Sequence, residues 1–161
     1  MTLRIPRPAL AVALSLLAGC GVLGGGADLT AVEVAGRYEF TELRLDPVSD
    51  AVDDVDLRDD RLPDDMTLLI REDGTARLER LQSGDVVGRG SYTLSGDRLR
   101  VRLDRGFPEA FLPAEIEFEA GDERLSADIP YDDVDLGEIS DDFEGVERAD
   151  VVVRVRLREI G

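Results

Sequence analysis

MTLLIREDGTARLERLQSGDVVGRGSYTLSGDRLRVRL, residues 66–103, decides how the rest of the chain is read. Met66, Leu68 and Ile70 alternate with Thr67 and Leu69 before Glu72-Asp73-Gly74. A second run, Thr75 to Leu81, ends at Ser83-Gly84. A third, Val86 to Leu94, ends at Ser95-Gly96-Asp97, and a fourth, Arg98 to Leu103, alternates without a break. Period-two runs separated by Asp-Gly or Ser-Gly are the local signature of antiparallel hairpins. Four in succession predict a meander.

Upstream, Val34 to Leu45 reads as a first strand. Tyr38 and Phe40 share one face while Leu43 and Leu45 fall on the other, so a one-residue bulge near Thr41-Glu42 is expected to restore the parity. Within the meander Gly88, Gly90, Tyr92 and Leu94 share a face, and interior glycines mark a bend or leave room for a neighbour or a ligand. Downstream, Ile116 and Phe118 alternate with Glu115, Glu117 and Glu119. Leu125, Ala127 and Ile129 mark the next strand. The last carries Val151, Val153, Val155 and Leu157 against Arg154, Arg156 and Arg158. The Arg98-Arg100-Arg102 face and the Glu115-Glu117-Glu119 face are expected to be neighbours, since opposite charges facing across a pair help fix register. Eight sequential strands predict an all-β, eight-stranded antiparallel up-and-down barrel. Such a barrel is closed on itself and just wide enough to be filled by side chains or to hold one small ligand.

Gly36-Arg37-Tyr38 stands where many lipocalins open with Gly-x-Trp. The stretch Asp73 to Leu99, with its Asp-Gly turn, Gly-rich strand and Ser-Gly-Asp-Arg-Leu, is similar to small bacterial lipocalin-like lipoprotein domains. The chain thus resembles the lipocalin-like families of the calycin superfamily over roughly residues 34–160. The resemblance implies a binding barrel.

The N-terminus reads as a targeting segment. Arg4 and Arg7 precede an apolar run, Ala9 to Ala18, and Leu17-Ala18-Gly19-Cys20 resembles the bacterial lipobox. That resemblance implies removal of residues 1–19 and lipidation of Cys20, with palmitate among its acyl chains. Gly21, in place of an aspartate, implies the outer membrane. An ordinary signal peptide ending near a cysteine is the plainer alternative. Residues 20–33 then form the lipidated cysteine and a tether through Gly24-Gly25-Gly26, and residues 34–161 form one domain. Cys20 is the sole cysteine, so no intramolecular disulfide can form.

The whole chain has net charge −17, and loss of Arg4 and Arg7 makes it −19. That balance argues against nucleic acid or anionic lipid surfaces as partners. Nineteen arginines and no lysine supply the positive charge. Abundant Asp without Lys fits a proteome adapted to high salt. Yet residues 46–65 and 131–150 are two acidic loops of net −7 and −8, and 104–113 is a third long connection of net −1. Alternation of connections around a barrel puts these three at one end and the tight turns at Gly74, Gly96 and Gly121 at the other. Val48, Ala51, Val52 and Val55 are spaced for a short helix in the first acidic loop, ended by Pro63.

Either the acid is plain solvation, or the acidic end is a mouth rimmed by Phe107, Phe111, Leu112 and Phe143, opening on an interior of Tyr38, Phe40, Gly88, Gly90 and Tyr92. Asp-Asp-Val-Asp-Leu occurs at both 53–57 and 132–136. Asp54, Asp56, Asp133 and Asp135 would offer oxygen ligands to calcium if the barrel brought them together.

No His, no Lys and no thiol beyond Cys20 leave the usual general bases and nucleophiles missing, so an enzyme is not expected. Glu42, beside the bulge, is a candidate inward carboxylate. Two functions remain. One is a membrane-anchored lipocalin-like binding lipoprotein taking a small apolar or cationic ligand at the acidic end. The other is a structural or interaction lipoprotein of the envelope with a filled barrel and an acidic face that solvates or docks a basic partner.

Overall fold

The computed structural model describes residues 28–48, 53–107, 110–139, 143 and 148–161. Cys20, the leader and most of the tether lie outside these, as do Ala51 and Val52. The order is α1 Ala31–Val34, β1 Gly36–Pro47, β2 Val55–Asp56, α2 Arg58–Arg61, β3 Met66–Ile70, β4 Thr75–Arg80, β5 Val86–Ser95 and β6 Arg98–Leu103. Then come β7 Glu115–Gly121, β8 Arg124–Asp135, a 3₁₀ turn Leu136–Glu138 and β9 Arg148–Glu159. All neighbouring pairs are antiparallel, and β1 pairs with β9, so eight strands form a closed up-and-down barrel. β2 is a short addition to the edge of β1 beyond β3.

Closure runs from Tyr38↔Glu159 to Pro47↔Val151, with the register shifting between Phe40 and Glu42. The expected bulge is there, and it turns Tyr38, Phe40, Leu43 and Leu45 into one buried row. It also places Glu42 outside the barrel, 3.7 Å from Arg44, so the inward carboxylate is not realised. The two charged faces meet as expected: Arg98 faces Glu119, Arg100 faces Glu117 and Arg102 faces Glu115.

Three boundaries differ from the sequence reading. The first strand begins at Gly36, because Val34 belongs to α1. In the first acidic loop, Val55 is extended, not helical. The free edge of β1 recruits Val55 and Asp56 opposite Leu45 and Arg44, and Leu57 N–H donates to the Leu43 carbonyl at 2.8 Å. The helical turn comes later, at Arg58–Arg61, and stops before Pro63. Residues 131–150 are not all loop either. β8 continues to Asp135 and β9 starts at Arg148, across a bulge between Tyr131 and Val134 where Asp133 takes φ 56.

One apolar cluster of buried side chains runs through the barrel, from Tyr38 and Phe40 through Leu99, Phe118 and Leu125 to Val155 and Leu157. Gly90 serves close approach. A Cβ there would lie 1.8 Å from the Arg102 carbonyl oxygen, whereas one on Gly88 would sit in ordinary contact with Leu78 Cβ at 3.5 Å, Asp104 Oδ1 at 3.7 Å and Leu103 Cδ1 at 3.9 Å. Gly90→Ala is therefore expected to cost about 2–4 kcal/mol, because backbone and not a flexible side chain must give way. Gly88→Ala should stay within about 1 kcal/mol. Urea unfolding midpoints of the two variants check the contrast, and equal losses would contradict it.

Candidate functional site

The barrel has two ends of different build. The long connections lie at the end of the β4–β5 turn, and both described termini lie at the other, where Gly36 faces Ile70 and Glu159 faces Tyr38. At the long-loop end, Leu57, Leu62, Ala110, Leu112, Leu136 and Phe143 all enter the core cluster. Phe143 is only 1% exposed. Phe107 and Phe111 pack against that cluster, half-buried. Of the expected rim, Leu112 and Phe143 are thus buried, while Phe107 and Phe111 keep part of their surface exposed.

Phe111 takes φ 55, a left-handed conformation a bulky residue adopts only when its surroundings hold it. Tyr131 does so. Its hydroxyl donates to the Phe111 carbonyl at 2.6 Å, and the rings meet edge to face at 6.2 Å. Arg61 Nη2 donates to the Ile139 carbonyl at 2.9 Å, tying the two acidic connections together.

The two Asp-Asp-Val-Asp-Leu segments are built alike. Each pairs on the edge of a neighbouring strand, buries its leucine and leads into a helical turn. In each, the second aspartate meets an arginine of that neighbouring strand. Arg44 Nη1 donates to Asp54 at 2.5 Å, and Arg148 Nε donates to Asp133 at 2.6 Å. The Arg58 N–H donates to Asp56 Oδ1 at 3.0 Å. The segments sit on β2 and β8, with β1 and β9 between them, which separates them by about 14 Å along the wall. Among the described residues no three acidic, His or Cys side chains converge as a metal site. The calcium arrangement is thus not assembled among the described residues, where Asp54, Asp56 and Asp133 each serve a local contact.

At the tight-turn end the closure is thinner. Leu29 N–H donates to the Gly96 carbonyl, and α1 buries Val34 while leaving Val32 exposed. Beneath it lie Tyr38 and Tyr92. The Tyr38 hydroxyl donates to the Val34 carbonyl at 3.0 Å, and burial, then Glu159 and Tyr92, push its pKa up to about 12. Tyr92 is 9% exposed, and its buried hydroxyl has no hydrogen-bond partner among the described residues. Burial and then Asp73 and Glu72 raise its pKa, so it stays a protonated donor at neutral pH.

Sequence reasoning missed a split seam in the wall. β7 and β8 pair only over Glu119–Gly121 against Arg124–Ser126. The next alternate pairs of that register would oppose Glu117 to Asp128 and Glu115 to Pro130. The first is a like-charge pair and the second lacks an N–H, so the ladder stops. Glu117 instead takes Arg100 and Arg98, and Asp128 takes Arg156. A shallow concavity of 360 Å³ lies over the seam between Glu117, Ser126, Asp128 and Arg156. Two more, of 500 and 540 Å³, continue past Arg124 and Arg158 to the bulge at Thr41. Arg124 faces Arg158 and has no ion-pair partner among the described residues. The signal was present in the sequence as Asp128 and Pro130 on the outward row, but only the register with β7 reveals it.

Buried tyrosines distinguish themselves by mutation. Tyr38→Phe should cost about 1–3 kcal/mol, because it strands the buried Val34 carbonyl. Tyr92→Phe should be neutral or stabilising, because it removes an unpaired hydroxyl. Calorimetry of the two variants measures the difference. The Glu117 carboxyl is held below its ordinary value, first by its hydrogen bond with Arg100 and then by Arg98. A carboxylate with a depressed folded pKa stabilises above its unfolded pKa, and that stability is lost as pH falls through the folded value. Acidification below about pH 5 should thus weaken the native chain more than Glu117→Gln, as read by urea midpoints down to about pH 3. Comparison with protein-family models, curated proteins and solved structures gives no match, so fold and geometry carry the functional argument.

Proposed function

We propose that this chain is a lipid-anchored, lipocalin-like barrel of the bacterial envelope, held at the outer membrane through Cys20, that acts as an interaction module through its outside. The observation that carries this reading is the single cluster of buried apolar side chains running through the barrel, with Leu57, Leu112, Leu136 and Phe143 at one end and Val34 and Tyr38 at the other. The outer wall is where the chain is left incomplete, at the split seam and at Arg124, which has no ion-pair partner among the described residues. The absence of His and Lys from the sequence supports a non-enzymatic role. The single Cys within Leu17-Ala18-Gly19-Cys20 supports the anchor.

Tyr92 favours a second reading, in which a small apolar molecule with an acceptor oxygen enters the barrel and takes its hydroxyl. Native mass spectrometry of protein purified from its own host separates the two. The first reading expects the mass of the chain plus the lipid on Cys20 and nothing more. A co-purifying molecule in stoichiometric amount, lost in Tyr92→Phe, would overturn it in favour of the second.

A further inference from the structure

We infer that the tight-turn end of the barrel is the surface facing the bilayer, so that the long acidic connections are presented to the aqueous compartment. This rests on the tether reading of Cys20 and adds to it a direction.

The first observation is where the chain enters. Leu29 N–H donates to the Gly96 carbonyl in the β5–β6 turn, at 3.2 Å, and Tyr38 holds the Val34 carbonyl. Residues 28–35 are therefore fixed against the tight-turn end. The second is length. Eight residue steps from Cys20 to Asp28 span at most about 29 Å when fully extended. β9 has twelve residues, which at about 3.3 Å each and the tilt of a barrel strand makes the barrel about 30 Å tall. An inverted barrel would need the tether to run that height and still cross several ångströms of headgroups. The contour length is too short for both.

The third observation is the chemistry of the facing end. Its three turns carry Glu72, Asp73, Asp97, Asp122 and Glu123, against Arg71 and the strand-opening Arg98 and Arg124, and Asp28 and Glu33 lie beside them. Val32 is the exposed large hydrophobic residue of α1. Such a surface neither inserts nor adheres to anionic lipid, whose surface potential attracts only basic segments. It stands off on the tether, and the gap widens as anionic lipid is added.

The test uses the full chain, lipidated in a bacterial host and reconstituted in vesicles. Cys20 is the sole cysteine and the lipid blocks its thiol, so one introduced cysteine takes a donor dye cleanly. Ser95→Cys marks the tight-turn end and Gln82→Cys the long-loop end, both at exposed positions. Gly121→Cys and Gly137→Cys form a second pair, because a Cβ meets nothing within 4 Å at the former and only Asp135 Oδ1 at 3.6 Å at the latter. Energy transfer to an acceptor on the headgroups of phosphatidylcholine vesicles is expected to be at least about two-fold greater from residue 95 than from residue 82, given the height of the barrel. With about a third phosphatidylglycerol, transfer from residue 95 should fall at low salt and recover as salt screens the surfaces. Equal or greater transfer from residue 82, in a chain whose mass shows the lipid, overturns the direction and leaves the tether standing. A chain without lipid on Cys20 overturns both.

Discussion

Everything in this fold depends on the join between β1 and β9, whose closing pairs lie more than a hundred residues apart in sequence. The join works because one bulge, between Phe40 and Glu42, lets β1 keep its apolar side chains inside along its whole length. Without it Leu43 and Leu45 would face water and Glu42 the core, since a one-residue slip exchanges the two faces of a strand. The bulge also bends β1 so that its far half leaves β3 and accepts β2. The Asp-Asp-Val-Asp-Leu segment at 53–57 then seats Leu57 in the end of the barrel. Closure, parity and the burial of Leu57 at the long-loop end are one event.

Most arginines among the described residues are paired, although the acids far outnumber them. Arg44, Arg100, Arg154, Arg156 and Arg158 each meet a carboxylate on their own or a neighbouring strand. Exposed pairs of this kind add little stability individually, typically under about 1 kcal/mol. Their value here lies in register, most clearly between β6 and β7, where Arg98, Arg100 and Arg102 face Glu119, Glu117 and Glu115. A chain with no lysine suits that use, because a guanidinium presents a planar fork to two acceptors. Glu117 shows it, accepting from Arg98 and from two nitrogens of Arg100.

The strands were legible because their apolar residues keep a strict period of two, and the bulge was legible as a break in that period. What was hidden followed from residues with no period to read. Asp132 and Asp133 look like loop in any sequence, yet they form a bulge that carries β8 onward to Val134 and Asp135. Val48 and Val55 happen to be spaced for a helix, but a free strand edge decided Val55. Phe107, Phe111 and Phe143 were visible as apolar residues among acids. Nothing in their spacing tells a rim from a plug, since that depends on how far the connections fold inward. The seam was hidden because Ser126, Asp128 and Pro130 form a regular outward row. Their incompatibility is with β7, not with one another.

The seam bears on how the barrel is made. In most hairpin meanders the sequence-local pairs are the most complete, and they form early because closing a short loop is cheap in entropy. Here the local hairpin β7–β8 is zipped only near its turn, while β8 and β9 pair from Arg124↔Arg158 to Asp135↔Arg148 and β9 with β1 across nearly the whole chain. The last third of the chain must therefore wait for its N-terminal strand before its own wall is complete. Assembly is weighted toward long-range contacts, which slows folding.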